Sequence, residues 1–262
     1  MTDTNDAPTS PAQNRWVKDL SQRPGKSDFH PSLPSIEVRY LTDPEVLAAV
    51  LPPPLEPTDD PRVHVRVTDI DLQFGEISYT ERVGFIAVDC RYGDVVGEYP
   101  LIIPIDLEPA ISISRERFGE PKKLAEIDFV REGEHVEARI TRQGVTFVEI
   151  VGDVVETLPT PAAHPAHQFW FKFQPAVSGV GFDGDPLLVQ VDQVRSPELV
   201  QRVEGELVLR DSSSAPVVDL PVRELESIVW TQRTSTHEPR LIGPVDADAF
   251  EPFAYARYDM GV

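Results

Sequence analysis

The residues best suited to chemistry are two adjacent lysines in the run Phe118-Gly119-Glu120-Pro121-Lys122-Lys123-Leu124-Ala125. Of 24 basic residues only five are lysines (Lys18, Lys26, Lys122, Lys123 and Lys172), and every other cation is arginine. Arginine keeps its proton in proteins, whereas a buried lysine can lose it and become a nucleophilic amine. A free lysine ionises near pH 10.4, so only about one in 2500 is neutral at pH 7. Attack on a ketone requires an ammonium roughly a thousandfold more acidic, which burial among apolar groups and a nearby positive charge both favour. Phe118 and Leu124 offer the first, and Lys123 the second. On an extended backbone, however, consecutive side chains point to opposite faces. Only one lysine would then see a given pocket, and desolvation would do most of the work. An arbitrary dilysine is usually a solvated surface pair, so its surroundings decide.

Those surroundings read as strands. Ser35–Tyr40 alternates, and Asp43-Pro44 opens a short helix over Glu45–Leu51 that Pro52-Pro53-Pro54 closes. Val63–Thr68 alternates strictly, valines on one face and His64, Arg66 and Thr68 on the other, without saying which face is inside. Strands are predicted over 75–81 and 85–90 with a turn near Gly84 between them, and over 99–105. A turn or short helix over 114–118 then delivers Lys122. Further strands are predicted over 125–131, 135–142, 145–155, 169–173, 187–193, 205–210, 217–222 and 227–233. A short helix is predicted within 194–203. The aromatic stretch 244–262 is expected on the body, on another subunit, or as a core-facing strand. The chain is therefore mainly β (a β-rich α+β chain), an antiparallel barrel or sandwich with a few short helices. Residues 1–28 read as a disordered or arm-like segment with Trp16 as its anchor, and 29–262 as a single domain.

A formal net charge of −20 argues against nucleic acid or an anionic membrane surface as partner. No apolar run approaches the roughly 18 residues of a membrane span, and the N-terminus lacks a signal-peptide core. A soluble, cytoplasmic protein is expected. The single Cys90 lies in an apolar run and reads as a buried, inert thiol. His164 and His167 have near-ligand spacing but no companions, so no metal site is expected. Phosphate-loop and dinucleotide fingerprints are absent from the sequence.

The run Glu108-Pro109-Ala110-Ile111, then Arg115-Glu116, then Pro121-Lys122-Lys123-Leu124-Ala125 resembles the acetoacetate decarboxylase superfamily. Tyr40-Leu41-Thr42-Asp43, Leu51-Pro52-Pro53-Pro54-Leu55-Glu56 and Pro221-Val222-Arg223-Glu224-Leu225 extend the resemblance over roughly residues 35–230. It implies an antiparallel β-barrel, a homo-oligomer, no cofactor and a Schiff base on Lys122. It also places Glu81 at the family's active-site glutamate, to orient the substrate or move a proton. Two departures stand out. The family's upstream arginine would fall near Leu33, and a pocket glutamate of its pattern falls at Arg66. With Arg66 inward, a cation is lost from one wall and gained on another, which moves the place where a carboxylate binds. Glu120 stands where an aromatic is usual, and either points away or serves as an acid or base. Phe118 shields the lysine. Arg115 flanks the approach, where it can steer an anion or pair with Glu116 or Glu120.

The activity implied is that of a carbon–carbon lyase acting on a small-molecule keto acid, foremost decarboxylation of a β-keto acid such as acetoacetate. An aldolase or dehydratase that joins pyruvate or another 2-oxo acid to an aldehyde keeps the same imine. A non-catalytic small-molecule binder is the third reading.

Overall fold

A computed structural model describes residues 32–74 and 77–259. The expected arm over 1–28, with Trp16, lies outside them. Twelve strands are found among the described residues: β1 (Ser35–Leu41), β2 (Glu56–Pro57), β3 (Arg62–Phe74), β4 (Ile77–Tyr92), β5 (Val95–Ile105), β6 (Lys122–Leu124), β7 (Glu126–Glu132), β8 (His135–Arg142), β9 (Val145–Thr157), β10 (His164–Lys172), β11 (Leu187–Leu209) and β12 (Glu224–Pro244). Three helices accompany them: α1 (Pro44–Ala49), α2 (Pro109–Phe118) and α3 (Ala247–Tyr255).

The strands form one sheet in the order β10-β5-β4-β3-β1-β12-β11-β9-β8-β7. Because β10 also pairs along its length with β11, the first seven close into a ring. The closure at β5 is a single parallel pair, Gln168 with Glu98. Beyond β11 the antiparallel meander β9–β8–β7 continues the sheet. Val63, Val65 and Val67 on β3 pack into the core. The opposite face of β3, with His64, Arg66 and Thr68, is at most 7% exposed. Alternation there separates an apolar interior from a polar one, not interior from solvent.

Several sequence expectations are corrected. Gly84 makes no turn and lies within β4, where a β-carbon would stand 2.6 Å from Ile140 Cδ1. This glycine lets β8 approach. The helix expected within 194–203 is absent. β11 runs straight through it, and a register shift between Pro197 and Leu199 absorbs the proline. Residues 217–222 hold a single 3-10 turn, Val217–Asp219, rather than a strand. The C-terminal aromatics form α3, capped by Asp246, whose carboxylate accepts from Ala249 N at 3.0 Å. Phe250 stacks on Phe171 with ring centres 4.7 Å apart, which pins this helix to the body. Cys90 is fully buried, and burial raises its thiol pKa. No described helix is long and apolar enough to cross a membrane.

Candidate active site

Lys122 is placed by a helix stop and a borrowed strand. Pro109 opens α2, and Gly119 ends it in the left-handed region at φ 80°. Gly119 N bonds back to Arg115 O at 3.1 Å. Pro121 then bends the chain onto the edge of β5, where Lys122, Lys123 and Leu124 pair in parallel with Ile103, Pro104 and Ile105. The pleat sends alternate side chains to opposite faces. Lys122 enters one cavity and Lys123 a different one.

Gly119 fixes this geometry twice over. A β-carbon there would collide with the Phe171 carbonyl and stand 2.6 Å from Lys172 Cα, both backbone atoms of β10. Gly119→Ala is expected to cost about 2–4 kcal/mol, from the left-handed backbone and the forced separation of α2 from β10. A urea midpoint close to that of the parent would refute this account.

The cavity at Lys122 has a volume of about 340 Å³. Arg66, Thr68 and Ile70 from β3 form one wall, with Glu81, Val83 and Phe85 from β4 and Ile103 from β5 beside them. Phe118, Glu120 and Lys122 close one end, and Gln168, Trp170 and Val191 stand across from β10 and β11. Leu33, His237 and Pro239 complete the lining. Five residues singled out in the sequence thus meet here: Arg66, Glu81, Phe118, Glu120 and Lys122.

Lys122 Nζ lies 3.3 Å from Glu120 Oε2, and both side chains are about one-eighth exposed (12% and 13%). Glu120 therefore shares the cavity rather than pointing away. Glu81 is buried, and its Oε2 has no hydrogen-bond partner. Burial raises its pKa, Lys122 partly offsets that, and Glu120 and Asp106 push it further up. Phe118 packs against Trp170 at 5.9 Å between ring centres and shields the lysine's end of the cavity. Trp170 Nε1 also lacks a partner.

The other two candidates stand elsewhere. Lys123 Nζ bonds to Asp259 Oδ1 at 2.7 Å and Ser214 O at 3.4 Å, on the far face of β6. Burial lowers its pKa, and Asp259 works against that. Its charge is thus neutralised locally and does not line the Lys122 cavity. Arg115 donates to the Lys122 carbonyl at 3.2 Å and lines a neighbouring cleft of about 580 Å³. Glu120 lies on the wall of both spaces. Leu33 and Arg66 both line the cavity, so the two departures seen in the sequence alter this site directly.

Behind Arg66 lies a buried charge cluster that the sequence did not disclose. Arg66 Nε stands 3.0 Å from Glu37 Oε1, and its Nη2 is 3.5 Å from Glu98 Oε1. Arg195 grips Glu98 with two bonds of 2.8 Å, Gln168 donates to Glu98 at 3.3 Å, and Arg233 pairs with Glu37. Burial alone would raise the Glu98 pKa, but Arg195 and Arg66 hold it well below the usual range. Glu37 is likewise lowered against burial, by Arg66, Arg233 and Arg195. Partners so distant in sequence leave no local signal. Trp170, on the cavity wall, falls within the strand predicted over 169–173.

The ring and its attached meander define a known class of fold. The acetoacetate decarboxylase of Legionella pneumophila superposes with a TM-score of 0.71 at 17% identity, covering 88% of this chain and 98% of that one. The enduracididine biosynthesis enzyme MppR, solved complexed with pyruvate, superposes at 0.66 with 18% identity, covering 81% and 89%. In sequence, the acetoacetate decarboxylase family profile matches residues 14–242. Acetoacetate decarboxylase of Burkholderia multivorans is 29% identical over 202 residues, 72% of this chain and 76% of that protein. That of Paraburkholderia phytofirmans is 41% identical over 88 residues, a match spanning only 34% of each. The chain belongs to the acetoacetate decarboxylase family.

Proposed function

We propose that the protein is a Schiff-base lyase for a keto acid, with Lys122 as its nucleophile. The observation that carries this is the burial of one lysine amine beside Glu120, with a buried Glu81 in the same, otherwise largely apolar cavity. In the leading reading Lys122 Nζ adds to the ketone carbon of a β-keto acid, and loss of water leaves an iminium. The bond from the adjacent carbon to the carboxylate breaks, carbon dioxide departs, and the electron pair passes into the iminium to give an enamine. Glu120, 3.3 Å from the amine, accepts and returns protons during addition and dehydration. Glu81 delivers the proton to the enamine carbon, and water then hydrolyses the imine to release ketone and amine. No cofactor is required, because the imine is the electron sink.

A second reading keeps the enamine and lets it add to an aldehyde, with dehydration. It is favoured by the altered cation placement at Leu33 and Arg66 and by the likeness to the pyruvate-complexed MppR.

Borohydride trapping with acetoacetate and with pyruvate, followed by peptide mass mapping, tests the imine and ranks the two. A reduced adduct on Lys122 is expected. A protein that binds either acid and yields no adduct is a binder, not a lyase. Glu81→Gln is expected to lower kcat about 10²–10³-fold. With the protonated carboxyl as the active donor and its pKa raised, activity of the parent falls on an alkaline limb that lies above about pH 4.3, the ordinary glutamate value. That limb is expected to vanish in the variant, and its persistence would assign it to another group.

A further inference from the structure

Four residues form a row across four adjacent strands beneath the cavity. Arg66 on β3 pairs with Phe85 on β4. The register that sets Val83 opposite Ile105 and Ile86 opposite Ile102 sets Phe85 opposite Ile103 on β5, and Ile103 pairs with Lys122 on β6. All four line the cavity. At about 4.8 Å per strand, roughly 14 Å of sheet separates the backbones of the two charged residues. Between them lie only a phenyl ring and an aliphatic side chain. The Arg66 guanidinium leans inward over Phe85, 5.0 Å from the ring centre. From there about two strand spacings, roughly 10 Å, remain to β6.

The Arg66 end carries an excess of positive charge. Arg66, Arg195 and Arg233 meet Glu37 and Glu98, three guanidiniums against two carboxylates in buried contact. Asp89, close to this group, is itself engaged by Arg62 and His64. Trp170 Nε1 has no acceptor, and Arg66 Nε, 3.0 Å from Glu37 Oε1, is not well aligned for a hydrogen bond to it; both residues line the cavity. A buried cation without its complement is costly, and a bound anion supplies what is missing.

We propose that Arg66 anchors a carboxylate of the substrate, and that the substrate is a keto acid in which an apolar spacer separates this carboxylate from the imine-forming carbonyl. This deepens the Schiff-base reading of Lys122 and rests on it. In acetoacetate a single methylene joins the two groups, too short a link to cross the Phe85 and Ile103 floor. A guanidinium also stabilises the carboxylate it holds and so opposes its departure as carbon dioxide. The carboxylate at Arg66 is therefore a handle, not the leaving group. The surplus cation at the Arg66 end, opposite Lys122, gives the substrate its direction.

The test is borohydride trapping of a graded series, 4-oxopentanoate, 5-oxohexanoate and 6-oxoheptanoate with their methyl esters, reading half-saturating concentration and adduct position. On the parent protein, half-saturation is expected to fall about tenfold from 4-oxopentanoate to the best longer acid, and that acid to lead its ester by about tenfold. Arg66→Gln is expected to bring acid and ester within about threefold. The variant leaves two guanidiniums facing two carboxylates, and the parent series decides the matter even if the variant does not fold. Equal trapping of acid and ester on Lys122, or 4-oxopentanoate as the best ligand, overturns the anchor and leaves the Schiff base standing. An acid preference that survives Arg66→Gln overturns the assignment to Arg66. No adduct with any member, acetoacetate and pyruvate included, overturns the Schiff-base reading and the anchor with it.

Discussion

Lys122→Met is expected to abolish turnover and borohydride labelling together, with kcat/KM falling at least about 10⁴-fold. Lys122→Arg is expected to be equally inactive. The pair of variants separates two roles. Methionine removes both charge and nucleophile, whereas arginine keeps a cation beside Glu120 and removes only the amine. Activity retained by arginine would mean that the position serves as a counter-ion. Methionine has a further consequence, because among the described residues Lys122 is the neighbour acting to lower the pKa of Glu81. Without it the carboxyl should hold its proton to still higher pH. A carboxyl stretch band followed through an acid-to-neutral titration would detect that shift, and an unchanged titration would place Glu81 out of reach of the amine.

The second large effect is structural. Glu98→Ala removes the carboxylate that Arg195 grips with both nitrogens, inside a wall where neither side chain exceeds about one-tenth exposure (9% and 10%). An uncompensated buried guanidinium costs about 3–5 kcal/mol, equivalent to a fall in melting temperature of about 10 °C for a chain of this size. The pH dependence follows from the sign of the shifts. Glu98 and Glu37 are held below the usual glutamate range, so their stabilisation is complete above about pH 4.3 and is lost as pH falls below it. Glu98→Ala should therefore flatten the acid side of the stability curve as well as lower its plateau. A variant whose stability falls as steeply in acid as the parent's would move the acid sensitivity elsewhere.

The placement of the lysine pair was legible because residue type and local spacing carried it. A proline-led lysine pair on an extended segment must split its side chains between two faces, and Lys122 and Lys123 do so. Strand identity was legible wherever alternation was strict, as in 63–68. It failed at Gly84 and at 194–203, where a glycine and a proline resemble breaks in a strand. In the fold one admits the Ile140 side chain, and the other sits at a register shift that a long strand tolerates. The wall behind Arg66 was not legible. Glu98 meets Arg195 across 97 positions, and Arg233 meets Glu37 across 196. Only the closed register decides that these charges are inside.

That closed register also orders the protein's birth. β1, near the start of the described chain, is flanked on one side by β3 and on the other by β12, with Ser35 paired to Thr231. While the chain is being synthesised, β1 can gather only β3 and its hairpin partner β4. Its other edge stays open until β12 has left the ribosome. Glu37, Arg66 and Glu98 are made early, Arg195 and Arg233 late, so two carboxylates share one cation until the others are translated. Such non-local pairing makes folding slow and exposes strand edges meanwhile. The site is thus among the last features to exist. Lys122 sits on a strip that β5 can hold early, but its chamber has no far wall until β10 and β11 arrive.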